Sequence, residues 1–210
     1  MKHVVLMVLA ILSVLSCSQP SEDKVKTLIR ESVIRSLSHP GSYMAIETVV
    51  DSAFAPFDDP VFREKTLEIC RMTIENLEYV RKAQEAGQDV HPKEYALMTD
   101  SEKVQYRRYK EISTLCNEKV DSLSARIKEK GINLMDMVGP GYRFIGWKVT
   151  HEFCERDKTG FTVRRRKVFI IDEDKTRILA EYDTASKEYI MVQSMYRMWE
   201  EETVSLISEI

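Results

Sequence analysis

The order of hydrophobic and polar positions along the chain predicts alternating helical and strand segments. Apolar residues recur every three or four positions between Val25 and Leu37, which is typical of an amphipathic helix, and residues 43–54 are rich in β-forming side chains. Two long segments with helical spacing follow. The period then changes to two after residue 143 and becomes helical again from Ser186 to Ile210. The pattern therefore predicts the order α-β-α-α-β-β-β-α and an α+β fold.

The two long helical segments predict an antiparallel helical hairpin over about residues 60–131. Pro60 suits the first turn of a helix that ends near Gly87. Thr99 and Glu102 have capping-box spacing, and the helix that they begin is predicted to end at Gly131. The predicted apolar seams are Leu67, Cys70, Ile74 and Leu77 on the first helix, and Tyr109, Ile112, Cys116, Leu123 and Ile127 on the second.

The last third of the chain predicts a β-meander over about residues 143–183. Its strands are expected at 144–154, 161–171 and 177–182. A turn centred on residues 157–160 would pair Val149 with Val168 and Trp147 with Ile170, which places apolar side chains on one face. The predicted architecture is thus a long antiparallel helical hairpin, a small antiparallel sheet and a C-terminal helix.

The first seventeen residues predict export and a lipid anchor. Lys2 precedes an unbroken apolar run from Val4 to Leu12, which is too short to span a bilayer as a helix. The segment 14–17, Val-Leu-Ser-Cys, resembles the lipobox of bacterial lipoprotein precursors, in which the cysteine is acylated and becomes the mature N-terminus. We therefore expect a signal peptide over 1–16, a lipidated tether over 17–22 that begins at Cys17, and a single α+β domain over 23–210. The alternative is an ordinary signal peptide with a chance cysteine.

Composition and charge exclude one class of partner. The chain has 210 residues, of which 43% are hydrophobic and 31% charged, as is normal for a globular domain. Its formal net charge is −3. Removal of a leader that carries one lysine and no acidic residue would leave the mature chain more acidic. This charge argues against a nucleic-acid-binding protein driven by bulk charge.

An oxidising compartment would allow a disulfide between the two long helices. If the connector is centred midway between Ala86 and Ser101, Cys70 and Cys116 lie at the same height on facing helices. Helix axes 8–10 Å apart would bring their Cα atoms close to the distance that a disulfide needs. The sequence therefore predicts a Cys70–Cys116 bridge, the alternative being two free buried thiols, and Cys154 would remain unpaired.

The strongest charge cluster in the sequence is basic and lies on the second predicted meander strand. It consists of Arg164, Arg165, Arg166 and Lys167. One interpretation is an anion-binding patch for lipid headgroups, a phosphorylated polymer or an acidic glycan. The alternative is a solvated hairpin tip in which Glu152 lies opposite Arg165. In that case Arg164→Ala and Arg166→Ala should each change stability by less than about 0.5 kcal/mol.

The sequence contains no recognisable catalytic or cofactor motif. It lacks G-x-S-x-G, H-E-x-x-H, a P-loop and a dinucleotide-binding fingerprint. His151 and Cys154 are three residues apart, so a regular strand would direct them to opposite faces and prevent shared metal ligation. His151 is expected instead to lie beside Arg166 on the neighbouring strand. We therefore assign no catalytic, metal or cofactor residue from the sequence, and expect a protein that is not an enzyme.

Three motifs together resemble a group of small, uncharacterised Gram-negative lipoproteins. They are the segment 38–43 (Ser-His-Pro-Gly-Ser-Tyr), the segment 51–53 (Asp-Ser-Ala), and the segment 146–153 with Gly160. Members of the group often have asparagine where this chain has Thr159 before the turn glycine. The resemblance implies a helix, a strand, a helical hairpin and a β-meander, and it transfers no catalytic residue.

Together these observations predict a lipid-anchored protein of the cell envelope, most simply an outer-membrane lipoprotein, that acts as a binding or structural module. Its expected partners are the membrane, through the lipid on Cys17, and an envelope protein, glycan or lipid ligand. The side of the membrane that it faces is left open. The alternative is a periplasmic or surface hydrolase whose site converges only in three dimensions.

Overall fold

A computed structural model describes residues 19–87 and 95–208. Within these ranges, four α-helices and four strands follow the predicted order. They are α1 (Gln19–Ser36), β1 (Met44–Ala55), α2 (Pro60–Gly87), α3 (Asp100–Val138), β2 (Arg143–Arg156), β3 (Thr162–Ile171), β4 (Ile178–Asp183) and α4 (Lys187–Ser208). Short 3₁₀ helices cover Pro40–Ser42 and Tyr95–Leu97. The predicted α+β class is confirmed.

The chain forms two compact units. The sheet unit consists of the described residues up to Pro60 and from Gly141 onward, and the hairpin unit is Val61–Pro140. The predicted signal peptide and Cys17 lie outside the described residues. In the described part of the chain, no helix combines the length and the apolar character that crossing a bilayer requires.

The sheet is an antiparallel meander in the order β1-β2-β3-β4. Its β2–β3 register differs by one residue from the prediction, because Val149 pairs with Phe169 and Trp147 pairs with Ile171. The connecting loop explains the difference. It contains five residues, closed by a 2.9 Å hydrogen bond from the Asp157 N–H to the Phe161 carbonyl, and Gly160 adopts φ +88°. A left-handed glycine of this kind extends a hairpin turn by one residue.

Each face of the sheet packs against a different element of the sheet unit. Helix α1 covers one face, where its buried residues meet those of β2 and β3. The core on this face comprises Val25, Ile29, Val33, Val149, Phe153, Phe169 and Ile171. On the opposite face the buried residues are Ala53, Val168 and Ile170, with Tyr189 of α4 packed against them. The apolar stripe of α1, at Val25, Ile29 and Val33, thus supplies one side of the core on the face that this helix covers.

A glycine in β2 permits an unusually close approach of two strands. Gly146 has φ +135°, and a β-carbon added there would lie 2.0 Å from the carbonyl oxygen of Ile171. The β1–β2 pairing also shifts beside this glycine, since Ala53 pairs with Gly146 but Phe54 pairs with Phe144. Only glycine tolerates this backbone conformation and spacing.

The helical hairpin exists, but its register differs from the prediction. Lys130 Nζ lies 3.0 Å from Glu68 Oε2, and Asn76 Nδ2 lies 3.0 Å from Ser124 Oγ. Near the end of α2, a β-carbon on Gly87 would lie 3.1 Å from the ring of Tyr109. The numbers of facing residues are therefore symmetrical about a position close to residue 99. The prediction had placed that centre midway between residues 86 and 101. About the first ten residues of α3 consequently lie beyond Gly87, the last described residue of α2.

This register explains why the predicted Cys70–Cys116 disulfide is not formed. Both residues are free, buried thiols, and Cys154 is also free. With a midpoint near residue 99, Cys70 faces the region of residue 128 rather than Cys116. Twelve residues of helix correspond to about 18 Å at a rise of 1.5 Å per residue, well beyond the reach of a disulfide. The cysteines behave as small apolar side chains, and burial raises the pKa of the Cys70 thiol.

Two other expectations about the helices have different outcomes. The capping box is confirmed, because the Glu102 N–H donates to Thr99 Oγ1 and the Thr99 N–H donates to the Glu102 carboxylate. The predicted end of the second long helix at Gly131 is wrong, because α3 continues to Val138. A glycine weakens a helix by about 1 kcal/mol but does not end it when the flanking residues favour helix.

The predicted apolar seam of α2 holds only in its first half. Cys70 is buried, whereas the side chains of Ile74 and Leu77 are 46% and 62% exposed. The buried positions of α2 instead include Phe62, Thr66 and Ile69. The seam was misplaced because several apolar residues of this helix fit more than one stripe at helical spacing.

Candidate functional site

The basic cluster on β3 divides between the two faces of the sheet. Arg164 and Arg166 lie on one face, where both contact the carboxylate of Glu152. The Arg164 guanidinium donates to Glu152 Oε1, and Arg166 Nη2 lies 3.5 Å from Oε2 of the same residue. Glu152 therefore pairs across the strands with Arg166, not with Arg165 as predicted, because the register differs by one residue.

On the other face, the two remaining cations of the cluster also have acidic partners. Arg165 Nε lies 3.0 Å from Glu155 Oε1, and Lys167 Nζ lies 2.5 Å from Glu181 Oε1. Three carboxylates thus compensate most of the charge of Arg164, Arg165, Arg166 and Lys167. An anion at this hairpin would have to compete with carboxylates that are already in place. The anion-patch interpretation remains a prediction, and the geometry gives it little support.

Glu152 is the buried member of this ion-pair cluster. Its side chain is 9% exposed, whereas those of Arg164 and Arg166 remain more than half exposed. The hydrogen bond from Arg164 lowers the pKa of the Glu152 carboxyl, and the charges of both arginines act in the same direction. The carboxylate is therefore kept charged beneath two solvated guanidinium groups, an arrangement that holds the hairpin together.

His151 occupies a buried polar position on the face covered by α1. Its Nε2 lies 2.9 Å from the Tyr43 hydroxyl, and its Nδ1 lies 2.9 Å from the Thr48 hydroxyl. The ring stacks on Phe153 with a centroid separation of 5.5 Å. Burial lowers the pKa of His151, and a hydrogen bond with the backbone of Glu47 opposes this effect. The imidazole thus links β2 to β1 and to the segment that precedes β1, through hydrogen bonds on both of its nitrogens.

The neighbours of His151 correct two expectations. On β3 it pairs with Lys167 rather than with Arg166, because of the one-residue difference in register. His151 belongs to the face on which Phe153 is buried, whereas Cys154, three residues later, faces the other way on this strand. Among the described residues, no group of three or more potential ligands is placed to hold a metal ion.

An open depression of about 780 Å³ lies at the end of the sheet where α1 finishes. It is lined by the segment 38–42, together with Cys154 and Arg156 of β2 and residues of the β2–β3 hairpin. The Ser42 hydroxyl donates to the His39 carbonyl at 2.7 Å and accepts from the Arg156 N–H at 2.9 Å. Because this hydroxyl ties two segments together, it is not poised as a nucleophile.

An aromatic cluster lies at the opposite end of the sheet, and the sequence analysis did not identify it. The rings of Phe54 and Phe144 are 6.0 Å apart, and that of Phe144 is 5.6 Å from Trp147. Lys175 Nζ lies 3.9 Å above the Trp147 ring, whose indole N–H donates to the Glu173 carbonyl. We call Phe54, Phe144, Trp147 and Lys175 the aromatic end of the sheet unit.

The aromatic end is partly exposed. The side chains of Phe54 and Phe144 are 41% and 37% exposed, and Trp147 is half-buried at the edge of the core. Sequence periodicity placed Trp147 on the apolar face of the meander but could not reveal the cluster, because Phe54 and Phe144 meet only through the pairing of β1 with β2. Exposed aromatic groups in a cluster are more informative than single exposed apolar residues.

Comparison with known proteins leaves the geometry as the main guide to function. No protein-family model, curated protein or solved structure matches the chain. The resemblance to small lipoproteins therefore rests on its motifs, and any activity has to be argued from the site chemistry described above.

Proposed function

We propose that the chain is a lipid-anchored protein of the cell envelope that acts as a binding or structural module. The observation that carries the proposal is the position of Cys17. It follows an apolar run and a small residue, and it precedes by two residues the helix α1 that begins at Gln19. Acyl chains on Cys17 would anchor the fold through this short connection, since each buried methylene contributes about 0.8 kcal/mol.

The state of the polar side chains favours a binding or structural role over catalysis. Among the described residues, His151 is engaged on both ring nitrogens, and Glu152 is held by two arginines. The carboxylate of Asp172 accepts hydrogen bonds from Thr176 and Arg177 and so shapes the β3–β4 turn. These groups support the fold and are not directed into an open site with a perturbed partner, as catalytic groups usually are.

We place the candidate ligand site in the depression lined by residues 38–42. It lies at the end of the sheet where α1 finishes, and α1 begins close to Cys17. A site there would face away from the point of lipid attachment and remain accessible to an envelope protein, a glycan or a lipid headgroup.

The lipid anchor is tested with a Cys17→Ser variant expressed in a Gram-negative host. Detergent phase partitioning should place the native protein in the detergent phase and the variant in the aqueous phase. The intact mass of the native mature chain should show acylation at Cys17. Cys154→Ser is the matched control and should partition like the native protein. Partitioning of Cys17→Ser into the detergent phase would contradict the proposal.

The binding role is tested by purifying the native lipidated protein and identifying what accompanies it by mass spectrometry. A companion molecule that is lost when bulky residues enter the depression, as in Gly41→Trp, would support a binding module. Hydrolysis of a chromogenic ester or of cell-wall glycan that Gly41→Trp abolishes would support the hydrolase instead.

A further inference from the structure

The depression lined by residues 38–42 is formed by the sheet unit alone. Its lining residues lie within the ranges 38–44 and 154–162, both of which belong to that unit. The chain passes to and from the hairpin unit at Pro60–Val61 and Pro140–Gly141, next to the opposite ends of β1 and β2. The shape and the chemistry of the depression therefore follow from contacts within the sheet unit.

The depression offers mainly polar groups and open space to a ligand. Ser38 and Thr162, which carry hydroxyl groups, are among its lining residues, and a β-carbon added to Gly41 or Gly160 would meet no atom within 4 Å. None of the described residues that line it is aromatic or acidic, and its longest apolar side chain is that of Met44. A ligand rich in hydroxyl groups fits such a surface better than an acyl chain, because polar groups lose hydrogen bonds when apolar atoms cover them.

Arg156 supplies the permanent positive charge of the depression. It is the exposed last residue of β2, and in the described part of the chain its guanidinium forms no ion pair with a carboxylate, unlike that of Arg164. The acidic residue next to it, Asp157, is occupied by the turn, since its Oδ1 accepts from the N–H groups of Thr159 and Phe161. The Arg156 guanidinium is therefore available to an anion, whereas the basic cluster on β3 is compensated.

The backbone of Arg156 is fixed to the segment 38–42. Its N–H donates to Ser42 Oγ at 2.9 Å, and this hydroxyl donates in turn to the His39 carbonyl at 2.7 Å. These hydrogen bonds hold the start of the Arg156 side chain beside the segment that carries His39, an exposed residue of the same lining. A neutral imidazole can donate one hydrogen bond. The depression thus combines a guanidinium and an imidazole on a backbone that needs little ordering when a ligand binds.

We propose that this depression binds the carboxylate of an acidic saccharide, with Arg156 as the anion-binding group. The inference rests on the ligand site placed there under the proposed function, and it names the class of ligand. The parallel N–H groups of a guanidinium match the two oxygens of a carboxylate. One permanent cation also suits a singly charged carboxylate better than a doubly charged phosphate. Ser38, His39 and Thr162 would form hydrogen bonds with the sugar hydroxyls.

The proposal is tested with the full chain in micelles of a non-ionic detergent. Ligand-detected NMR measures the dissociation constants of cellobiouronic acid, a disaccharide with one carboxylate, and of cellobiose, its neutral counterpart. The acid should bind about fivefold more tightly at low salt, as expected for one charge pair near a protein surface. Arg156→Gln should abolish this difference and leave the affinity for cellobiose unchanged. Arg143→Gln is the matched control, because Arg143 is an exposed arginine at the other end of the same strand.

Cys154 provides a reporter of the ligand's position. It is a free thiol that lines the depression, whereas Cys70 and Cys116 are buried in the hairpin unit. Cellobiouronic acid should slow the alkylation of Cys154 by a neutral reagent at least twofold, as measured by peptide mass spectrometry. The protection should be lost in Arg156→Gln, and the alkylation of Cys70 and Cys116 should not change.

The remaining outcomes overturn the proposal in different ways. If the acid and cellobiose bind equally and Gly41→Trp weakens both, the depression is a saccharide site without an anion-binding group, and only this inference fails. If the acid binds but neither Gly41→Trp nor the alkylation of Cys154 responds, the ligand lies elsewhere, and the proposed site fails as well.

Two further ligands and one further variant complete the test. Hexanoate that binds as tightly as the acid would show that sugar hydroxyls contribute nothing, and glucose 6-phosphate that binds more tightly would show that the site prefers a phosphate. Loss of affinity in Arg164→Gln instead of Arg156→Gln would assign the anion to the basic cluster on β3. Each of these results contradicts the proposal, as does the absence of binding by the acid. A companion molecule lost in Gly41→Trp would still support the proposed function.

Discussion

The hydroxyl of Tyr43 lies 2.9 Å from Nε2 of His151, and the two rings stack with their centroids 6.0 Å apart. This contact joins the segment after α1 to the centre of β2, two parts of the chain separated by 108 positions. It provides a polar link inside an otherwise apolar layer, and buried polar groups of this kind are stable only when they are hydrogen-bonded.

The burial of His151 predicts a dependence of stability on pH. Its pKa is lowered in the folded chain, whereas an unfolded histidine titrates near pH 6.5. Below about pH 6.5 the unfolded chain therefore binds more protons than the folded one, and stability falls as the pH decreases. In His151→Gln, which does not titrate at this position, the free energy of unfolding should decline less between pH 7.5 and 5.5, as measured by urea denaturation. Exposed His39→Gln is the control, and parallel curves for the native chain and His151→Gln would contradict the prediction.

Gly146→Ala should destabilise the sheet unit. The new β-carbon would lie 2.0 Å from the Ile171 carbonyl oxygen, at a φ of +135° that other residues avoid. Strain and crowding of this kind cost about 3 kcal/mol together, which thermal or urea denaturation measures directly. Gly41→Ala is the matched control, because a β-carbon there meets no atom within 4 Å. Equal stabilities of the two variants would show that β2 and β3 are not this close.

Removal of Arg164 should raise the pKa of Glu152. The hydrogen bond from Arg164 is the largest cause of the lowered pKa of this carboxyl. A carboxyl group whose pKa is lowered by folding stabilises the folded chain at pH values above the pKa that it has in the unfolded chain. This stabilisation is lost as the pH falls toward the pKa that it has in the folded chain. Titration of the glutamate carboxyl carbons by NMR should therefore show the Glu152 midpoint shifted upward in Arg164→Ala. Arg165→Ala, whose partner is Glu155, should leave that midpoint unchanged. An unaltered midpoint in Arg164→Ala would mean that the ion pair does not persist in solution.

The register of the helical hairpin can be tested by crosslinking. Asn76 Nδ2 and Ser124 Oγ are 3.0 Å apart, so Asn76→Cys with Ser124→Cys should form a disulfide under mild oxidation. In the same experiment Cys70 and Cys116 should remain free and react fully with a thiol reagent after unfolding without reductant. Non-reducing peptide mapping identifies the linked pair. A native Cys70–Cys116 linkage would mean that α2 and α3 are offset from the register described here.

Local sequence signals were sufficient for the order of the elements and for several of their ends. Pro60 begins α2, Thr99 and Glu102 form the capping box of α3, and the change of period after residue 143 marks the start of β2. These features depend on neighbouring residues only, through backbone geometry, capping and the alternation of side chains. Gly131 shows the limit of such signals, because a favourable helical context on both sides outweighed one unfavourable residue.

Pairings between distant residues were less predictable, since an offset of one or a few residues changes every contact. The five-residue loop closed by Asp157 and Phe161 shifted the β2–β3 register by one position, which moved Glu152 from Arg165 to Arg166. In the hairpin unit, a connector midpoint near residue 99 placed Cys70 and Cys116 about 18 Å apart along the helices. Neither offset is encoded by the spacing of apolar residues alone.

The sequence by itself determined the α+β class, the succession of helices and strands, and the presence of a basic run on β3, because these follow from periodicity and composition. Only the tertiary structure decided that the basic run is compensated by Glu152, Glu155 and Glu181, that His151 is enclosed by Tyr43 and Thr48, and that Phe54 and Phe144 form one exposed end. The physical reason is that charge compensation, burial and clustering depend on which distant residues meet. That is set by loop length, strand register and helix offset, each of which depends on the packing of the whole unit.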